Sequence, residues 1–219
     1  HNATKEEDNN NHITEGMNEE WRPHTENTHC IKIIVDNQTL ADIVNGDSTL
    51  SNPKLIPTIS RIMDRLEGWH NHGWKTPTNA TPYINWRYRE YNKSADEMCN
   101  TVMDQEADVF HHTITSPPTD PNIHIFGQSD GGCRYKGSSA TGYSIRTCNA
   151  TNNTTRDIVT GGNHINHNTS SLTAETHALD ELTDRITQWL QGNSERYHSP
   201  TNTHTPTQHK TLSLITHSP

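Results

Sequence analysis

Apolar positions along the chain follow two periods and fall into two blocks, separated by a proline-containing gap. In the first block, Ile31-Lys32-Ile33-Ile34-Val35-Asp36 is a β-branched run closed by an acid, which predicts a buried strand. Gln38–Asn45 fits a short helix stopped by Gly46. Leu55, Ile59, Ile62, Met63 and Leu66 then recur at helical spacing. Residues 68–82 hold glycine, proline and histidine and read as a loop, and the aromatic stretch 83–89 suits a strand. Ala95, Met98, Cys99, Val102 and Met103 mark one face of an amphipathic helix, with Ser94 near its cap.

The gap, residues 105–122, contains Ser-Pro-Pro-Thr-Asp-Pro and has no regular pattern, so it reads as a linker. Beyond it Ile123 and Ile125 alternate with polar residues and lead to Ser129-Asp130-Gly131-Gly132. Two further strands fit residues 142–148 and 156–160. Leu172, Leu179, Leu182, Ile186 and Leu190 form a helical stripe, with Ser170 or Ser171 as N-cap. Residues 1–28 and 192–219 are polar and aperiodic and read as disordered tails, the first of them acidic. No internal repeat is present. The pattern predicts one mixed α/β domain, residues 29–104 and 123–191, interrupted by the linker.

Composition narrows this picture. Leu, Ile, Val and Phe together make up 34 of 219 residues, below the roughly 20% at which disorder becomes a serious prior. Thr (31) and Asn (23) take their place, while Ala (9) is scarce. The core must therefore be small and the stability marginal. The same bias leaves open a decayed sequence that folds poorly. Net charge is -9, which disfavours non-specific nucleic-acid binding by the chain as a whole. Residues 54–93, however, carry seven Lys/Arg against three acids; such a stretch either holds phosphates or is a solvated face.

Cys30, Cys99, Cys133 and Cys148 have no paired metal-ligand spacing and read as small buried residues in a reducing compartment. Sequons at Asn79, Asn149 and Asn168 are expected by chance in so Asn- and Thr-rich a chain. No signal peptide or long apolar run is present, so the expectation is an intracellular protein with no membrane span. The chain begins at His1 rather than Met, which suggests a piece of a longer one. Of sixteen histidines, the closest pairs are His70 with His72 and His164 with His167. Lacking a Cys partner, they read as solvated loop residues rather than ligands.

Four acids sit at the ends of hydrophobic elements. Asp36 ends a strand, Asp130 follows one, Glu175 lies in the first turn of a helix and Asp96 opens another. Strand ends and helix N-termini are where α/β folds gather functional groups. Each helix acid also has a plain role in offsetting the helix dipole.

The words around these acids resemble the ribonuclease H family. Ser129-Asp130-Gly131-Gly132-Cys133-Arg134 is similar to the motif of its first strand, and Ala140-Thr141-Gly142-Tyr143-Ser144-Ile145 to the strand that follows. Thr173-Ala174-Glu175-Thr176-His177-Ala178-Leu179 resembles its first helix, and Val35-Asp36-Asn37-Gln38 its fourth strand. Residues 86–96, ending Arg89-Glu90-Tyr91-Asn92-Lys93-Ser94-Ala95-Asp96, look like its final strand and helix. The order is swapped: in the family the Asp-Gly strand and Glu helix come first. The resemblance thus implies a circularly permuted, ribonuclease H-like mixed five-stranded sheet flanked by helices. Residues 105–122 would rejoin the old ends, a flexible span of roughly 20–25 Å. The rival arrangement is two half-domains of a polyprotein that complement one another between chains.

The resemblance implies further that Asp130, Glu175, Asp36 and Asp96 hold two Mg²⁺ or Mn²⁺ ions. The reaction implied is hydrolysis of the RNA strand of an RNA–DNA hybrid. Gly131, Gly132, Arg134, Asn37, Gln38, Arg89 and Asn92 become candidates for touching the substrate. A mobile-element polyprotein that also carries a reverse transcriptase is the implied setting. Many relatives use a histidine before the last Asp. Here none lies between His72 and His111, and Arg89 and Asn92 stand in that region. The alternative is a non-catalytic ribonuclease H-like module retained for structure or nucleic-acid binding. The sequence sets no oligomeric state.

Overall fold

The computed structural model describes residues 29–76, 82–113, 116–134, 138–152, 154–167 and 169–192. The tail readings for 1–28 and, Gly192 apart, 192–219 lie outside these residues, as do the sequons at Asn79 and Asn168.

β1 (Ile31–Val35) is buried along its whole length, Lys32 included, as a strand is when both sheet faces are covered. α1 (Gln38–Asn45) starts at Asn37, whose side chain accepts from Leu40 N at 3.0 Å. It stops where predicted, at Gly46, whose φ of 84° is the left-handed conformation that glycine adopts without penalty. A 3₁₀ turn (Pro53–Leu55) leads into α2 (Ile56–Asn71). β2 (Ile84–Trp86) and a second 3₁₀ turn (Arg89–Tyr91) precede α3 (Lys93–Gln105). There follow β3 (Val109–His112), β4 (Ile123–Cys133), β5 (Ser139–Asn149), β6 (Thr154–Gly162), β7 (His164–Ile165) and α4 (Ser171–Leu190). α4 is capped by Ser170, whose hydroxyl accepts from Thr173 N.

The strands form one mixed, open seven-stranded sheet in the order β2-β1-β4-β5-β6-β3, with β7 also on β5. β1 runs parallel to both β2 and β4; the remaining pairs are antiparallel. β4 and β1, from the two separate blocks of the sequence, are neighbours with Val35 level with Ser129. That register brings the residue after β1, Asp36, level with Asp130.

Successive strand residues face opposite sides, and the two adjacent glycines of β4 show what lies on each. A Cβ on Gly131 would strike the backbone of Ala174 and Glu175 in α4, whereas one on Gly132 would meet Met103 and Cys99 in α3. The sheet is thus covered by α4 on one face and α3 on the other. On the α4 side Ile31, Ile33, Ile125 and Ile145 pack with Leu40, Ile59, Ile62, Leu179, Leu182, Ile186 and Trp189 in the main core. A smaller cluster of Cys99, Val102, Met103 and Ala140 lies under α3.

Several expectations change. The sheet has seven strands rather than five. One of the extra strands, β3, lies inside the stretch read as a linker; pairing of Val109 with Gly162 through His112 with Val159 supplies order that its short pattern did not signal. Asp130 lies within β4 rather than after it. Asn92 occupies the N-cap of α3, and Ser94, near the cap as expected, accepts from Arg146 at 2.8 Å. His70 belongs to the last turn of α2, which runs into the predicted loop. All four cysteines are free; Cys30 and Cys99 are buried, but Cys133 at the end of β4 is exposed. No helix among the described residues is long and apolar enough to cross a membrane.

The basic stretch 54–93 is partly committed to packing. Arg65 reaches Asp180 at 2.6 Å and Asp184 at 3.0 Å, and Arg61 reaches Asp180 at 2.7 Å, clamping α2 to α4.

Candidate metal centre

Three of the four predicted acids converge. Among the described residues, Asp36, Asp130 and Glu175 offer carboxylate oxygens that all lie within 4.8 Å of one another. Each arrives from a different element: Asp36 from the end of β1, Asp130 from within β4, Glu175 from the first turns of α4. Gly131 makes the third approach possible, because only a residue without a side chain lets α4 pass so close to β4. Its own N–H donates to Glu175 Oε2 at 3.1 Å and fixes that carboxylate.

Asn92 ties the centre together. It is fully buried; its Nδ2 donates to Ser129 O at 2.8 Å and, at 3.4 Å, to Asp36 Oδ1. Its Oδ1 is buried with no hydrogen-bond partner among the described residues.

Burial and mutual repulsion shape the protonation of the centre. Burial, then the charges of Asp130 and Asp36, push Glu175 up to about 9, with the Gly131 N–H opposing. Burial, then Asp36 and Asp96, push Asp130 up to about 7, with Arg89 opposing. Both groups resist ionisation where they stand. A cation bound between them would reverse that preference. The oxygen donors suit a hard divalent ion. The cluster is therefore fit to bind a metal.

Asp96 behaves differently. Its Oδ1 takes both Nε (2.9 Å) and Nη2 of Arg89, so it stands outside the convergent group. Its charge still acts on Asp130, which places it at the margin of the centre.

The remaining candidates divide. Gly131 and Gly132 lie in a strand with helices against them, so the close approach they permit is to α4 and α3. Asn37 caps α1 and Gln38 is the exposed first residue of that helix. Arg134 pairs with Asp104 at 2.7 Å. Arg89 and Asn92 do reach the acids. His70, His72 and His167 are exposed and His164 is half-buried in β7; none joins the carboxylates. Sequence reasoning passed over Tyr88 and Tyr91, which stand exposed beside the centre. The available signal was aromatic residues interleaved with arginines in Trp86-Arg87-Tyr88-Arg89.

No family model matches the chain, and comparison with the curated proteins found no match. Among solved structures, the chain is similar to two crystal forms of the PelC dodecamer from Paraburkholderia phytofirmans. One, a point variant, shows 9% identity and a TM-score of 0.30, covering 75% of this chain and 92% of that one. The other shows 9% identity and a TM-score of 0.30, covering 77% and 91%. That similarity assigns neither a fold family nor a function.

Proposed function

We propose that the chain is a metal-dependent endonuclease that hydrolyses the RNA strand of RNA–DNA hybrids, built on a ribonuclease H-like sheet with its halves in permuted order. The observation that carries this reading is the convergence of Asp36 with Asp130 and Glu175, drawn from the two separate blocks of the chain, to within 4.8 Å. Strand order supports it. Counted from Ile123, β4, β5, β6, β1 and β2 become first to fifth, and they lie across the sheet as third, second, first, fourth, fifth. The sequence words that resemble the family's first and second strands lie largely in β4 and β5, and those that resemble its fourth and final strands begin at the last residues of β1 and β2. β3 and β7 are additions to it. Both blocks enter one sheet, which favours assembly within a single chain over complementation between chains; mass in solution tests that point.

Asp130, Glu175 and Asp36 would hold Mg²⁺ or Mn²⁺, and Asp96 would complete a two-ion site on release from Arg89. Bound there, the ions would activate a water and stabilise the leaving oxygen of an in-line displacement. The chain's own groups set the stage for this. Gly131 N–H orients Glu175, and Asn92 orients Asp36 against the backbone of Ser129. Arg89, in the region where relatives carry histidine, offers a guanidinium to the substrate phosphate or leaving group. A reverse transcriptase in the same polyprotein would supply the hybrid.

The pairing of Arg89 with Asp96 favours a second reading, a non-catalytic nucleic-acid-binding module in which an internal cation replaces a metal. Cleavage of a labelled RNA–DNA hybrid in Mg²⁺ or Mn²⁺ separates the two. The nuclease reading expects products with 5′-phosphate and 3′-hydroxyl ends, abolished by Asp130→Asn. No cleavage by a folded protein, or equal cleavage by the variant, contradicts it.

A further inference from the structure

The chain leaves β2 through Trp86-Arg87-Tyr88-Arg89-Glu90-Tyr91, where aromatic and basic side chains alternate over one short turn. Backbone and side-chain bonds pin that turn on both sides of the carboxylates. Arg87 N donates to O of Val35, the residue before Asp36, at 3.0 Å. Gln128 Nε2, two residues before Asp130, donates to Tyr91 O at 2.5 Å. Within the turn, Tyr91 N donates to Tyr88 O at 2.9 Å, and Asn92 N to Arg89 O at 2.8 Å.

On this fixed backbone the rings face outward. Tyr88 is 62% and Tyr91 45% exposed. Trp86 meets Tyr88 edge-on at 5.0 Å and supports it from behind. Exposed rings on a rigid turn offer π faces at little entropic cost. Arg89, two of whose nitrogens hold Asp96, keeps its side chain 67% exposed and supplies positive charge next to a centre that is otherwise acidic. Aromatic faces interleaved with guanidinium groups are what a single-stranded nucleic acid uses, base on ring and phosphate on cation. A base inside a duplex already has both faces covered by its neighbours. A ring platform therefore selects a nucleotide that is unpaired.

We propose that Trp86–Tyr91 is a stacking platform for an unpaired nucleotide, with Tyr88 and Tyr91 taking the base and Arg89 facing the adjoining phosphate. The preferred substrate is then a hybrid carrying a single-stranded extension beside the cut, rather than a blunt one. This rests on the nuclease reading for the position of the cut, but not for the binding.

Binding is measured without turnover, on the full chain in EDTA at low salt, so the two readings fail separately. The probes are a blunt RNA–DNA hybrid and the same hybrid with a short extension containing 2-aminopurine. The extended hybrid is expected to bind at least tenfold tighter, with quenching of the 2-aminopurine fluorescence as the base stacks. Tyr88→Ala with Tyr91→Ala should remove that advantage and the quenching while changing blunt-hybrid affinity less than twofold. Tyr88→Phe with Tyr91→Phe, which keeps the rings, should restore both. Equal affinity for the two hybrids in the native protein overturns the proposal. So does full quenching by an alanine variant whose far-UV circular dichroism matches the native spectrum. Cleavage that is indifferent to the tyrosines would keep the nuclease and remove the platform; tyrosine-dependent binding without cleavage would do the reverse.

Discussion

Replacing Glu175 by Gln removes a buried ionisable group while keeping the shape of the side chain and an acceptor for the Gly131 N–H. Without a bound cation, Glu175 is pushed up to about 9 from an ordinary 4.5, chiefly by burial. Folding thus makes this carboxyl hold a proton that the unfolded chain has already released. Below about pH 4.5 both states carry the proton and the group costs nothing. As pH rises the cost grows by about 1.4 kcal/mol per unit, levelling off only above about 9. Between pH 5 and 7 the native protein should lose about 3 kcal/mol through this residue alone, on the order of 6–12 °C in Tm for a domain of this size. Asp130, pushed up to about 7 from 3.8, tilts stability the same way between those values. Urea unfolding followed by tryptophan fluorescence in EDTA, at pH 5, 6, 7 and 8, reads the effect. Glu175→Gln should give a flatter stability curve than the native protein and be the more stable of the two at pH 7. Parallel curves would show that the carboxyl ionises freely in the folded protein and that the centre is not the crowded, dry cluster described above.

Two further perturbations test how the centre is built. Gly131→Ala should cost about 3 kcal/mol, since its Cβ would drive into the backbone of α4, and should weaken Mn²⁺ binding by shifting Glu175. Gly68→Ala, at a helical position with nothing within 4 Å of the new atom, should instead stabilise by about 0.5–1 kcal/mol; chemical denaturation compares the pair. Arg89→Gln frees Asp96 and removes a competing cation, so calorimetric titration should show Mn²⁺ binding severalfold tighter. Unchanged or weaker binding would mean that Arg89 and the metal do not compete.

What could be read from the sequence was what local pattern decides. β1 announced itself by four β-branched residues in a run of five, α1 by its glycine stop, and α4 by its leucine stripe and serine cap. The acids were located by the words around them. What could not be read depends on partners distant in sequence. β3 is a strand because β6 lies beside it, not because of its own composition. The salt links from Arg61 and Arg65 to α4 likewise give tertiary roles to residues that looked available for phosphate. Gly131 appeared suited to touching nucleic acid, yet the backbone it admits is that of α4. The withdrawal of Asp96 from the cluster depends on where Arg89 points, which spacing does not encode.

The central claim is that carboxylates from both blocks of the chain make one cation site. Titration of the metal-free protein with Mn²⁺, with free ion followed by electron paramagnetic resonance, tests it most directly. The native chain should bind Mn²⁺ saturably, and Asp36→Asn, Asp130→Asn and Glu175→Gln should each weaken binding at least tenfold while remaining folded. Binding by the native chain that none of the three substitutions alters, or no saturable binding at all, would contradict it.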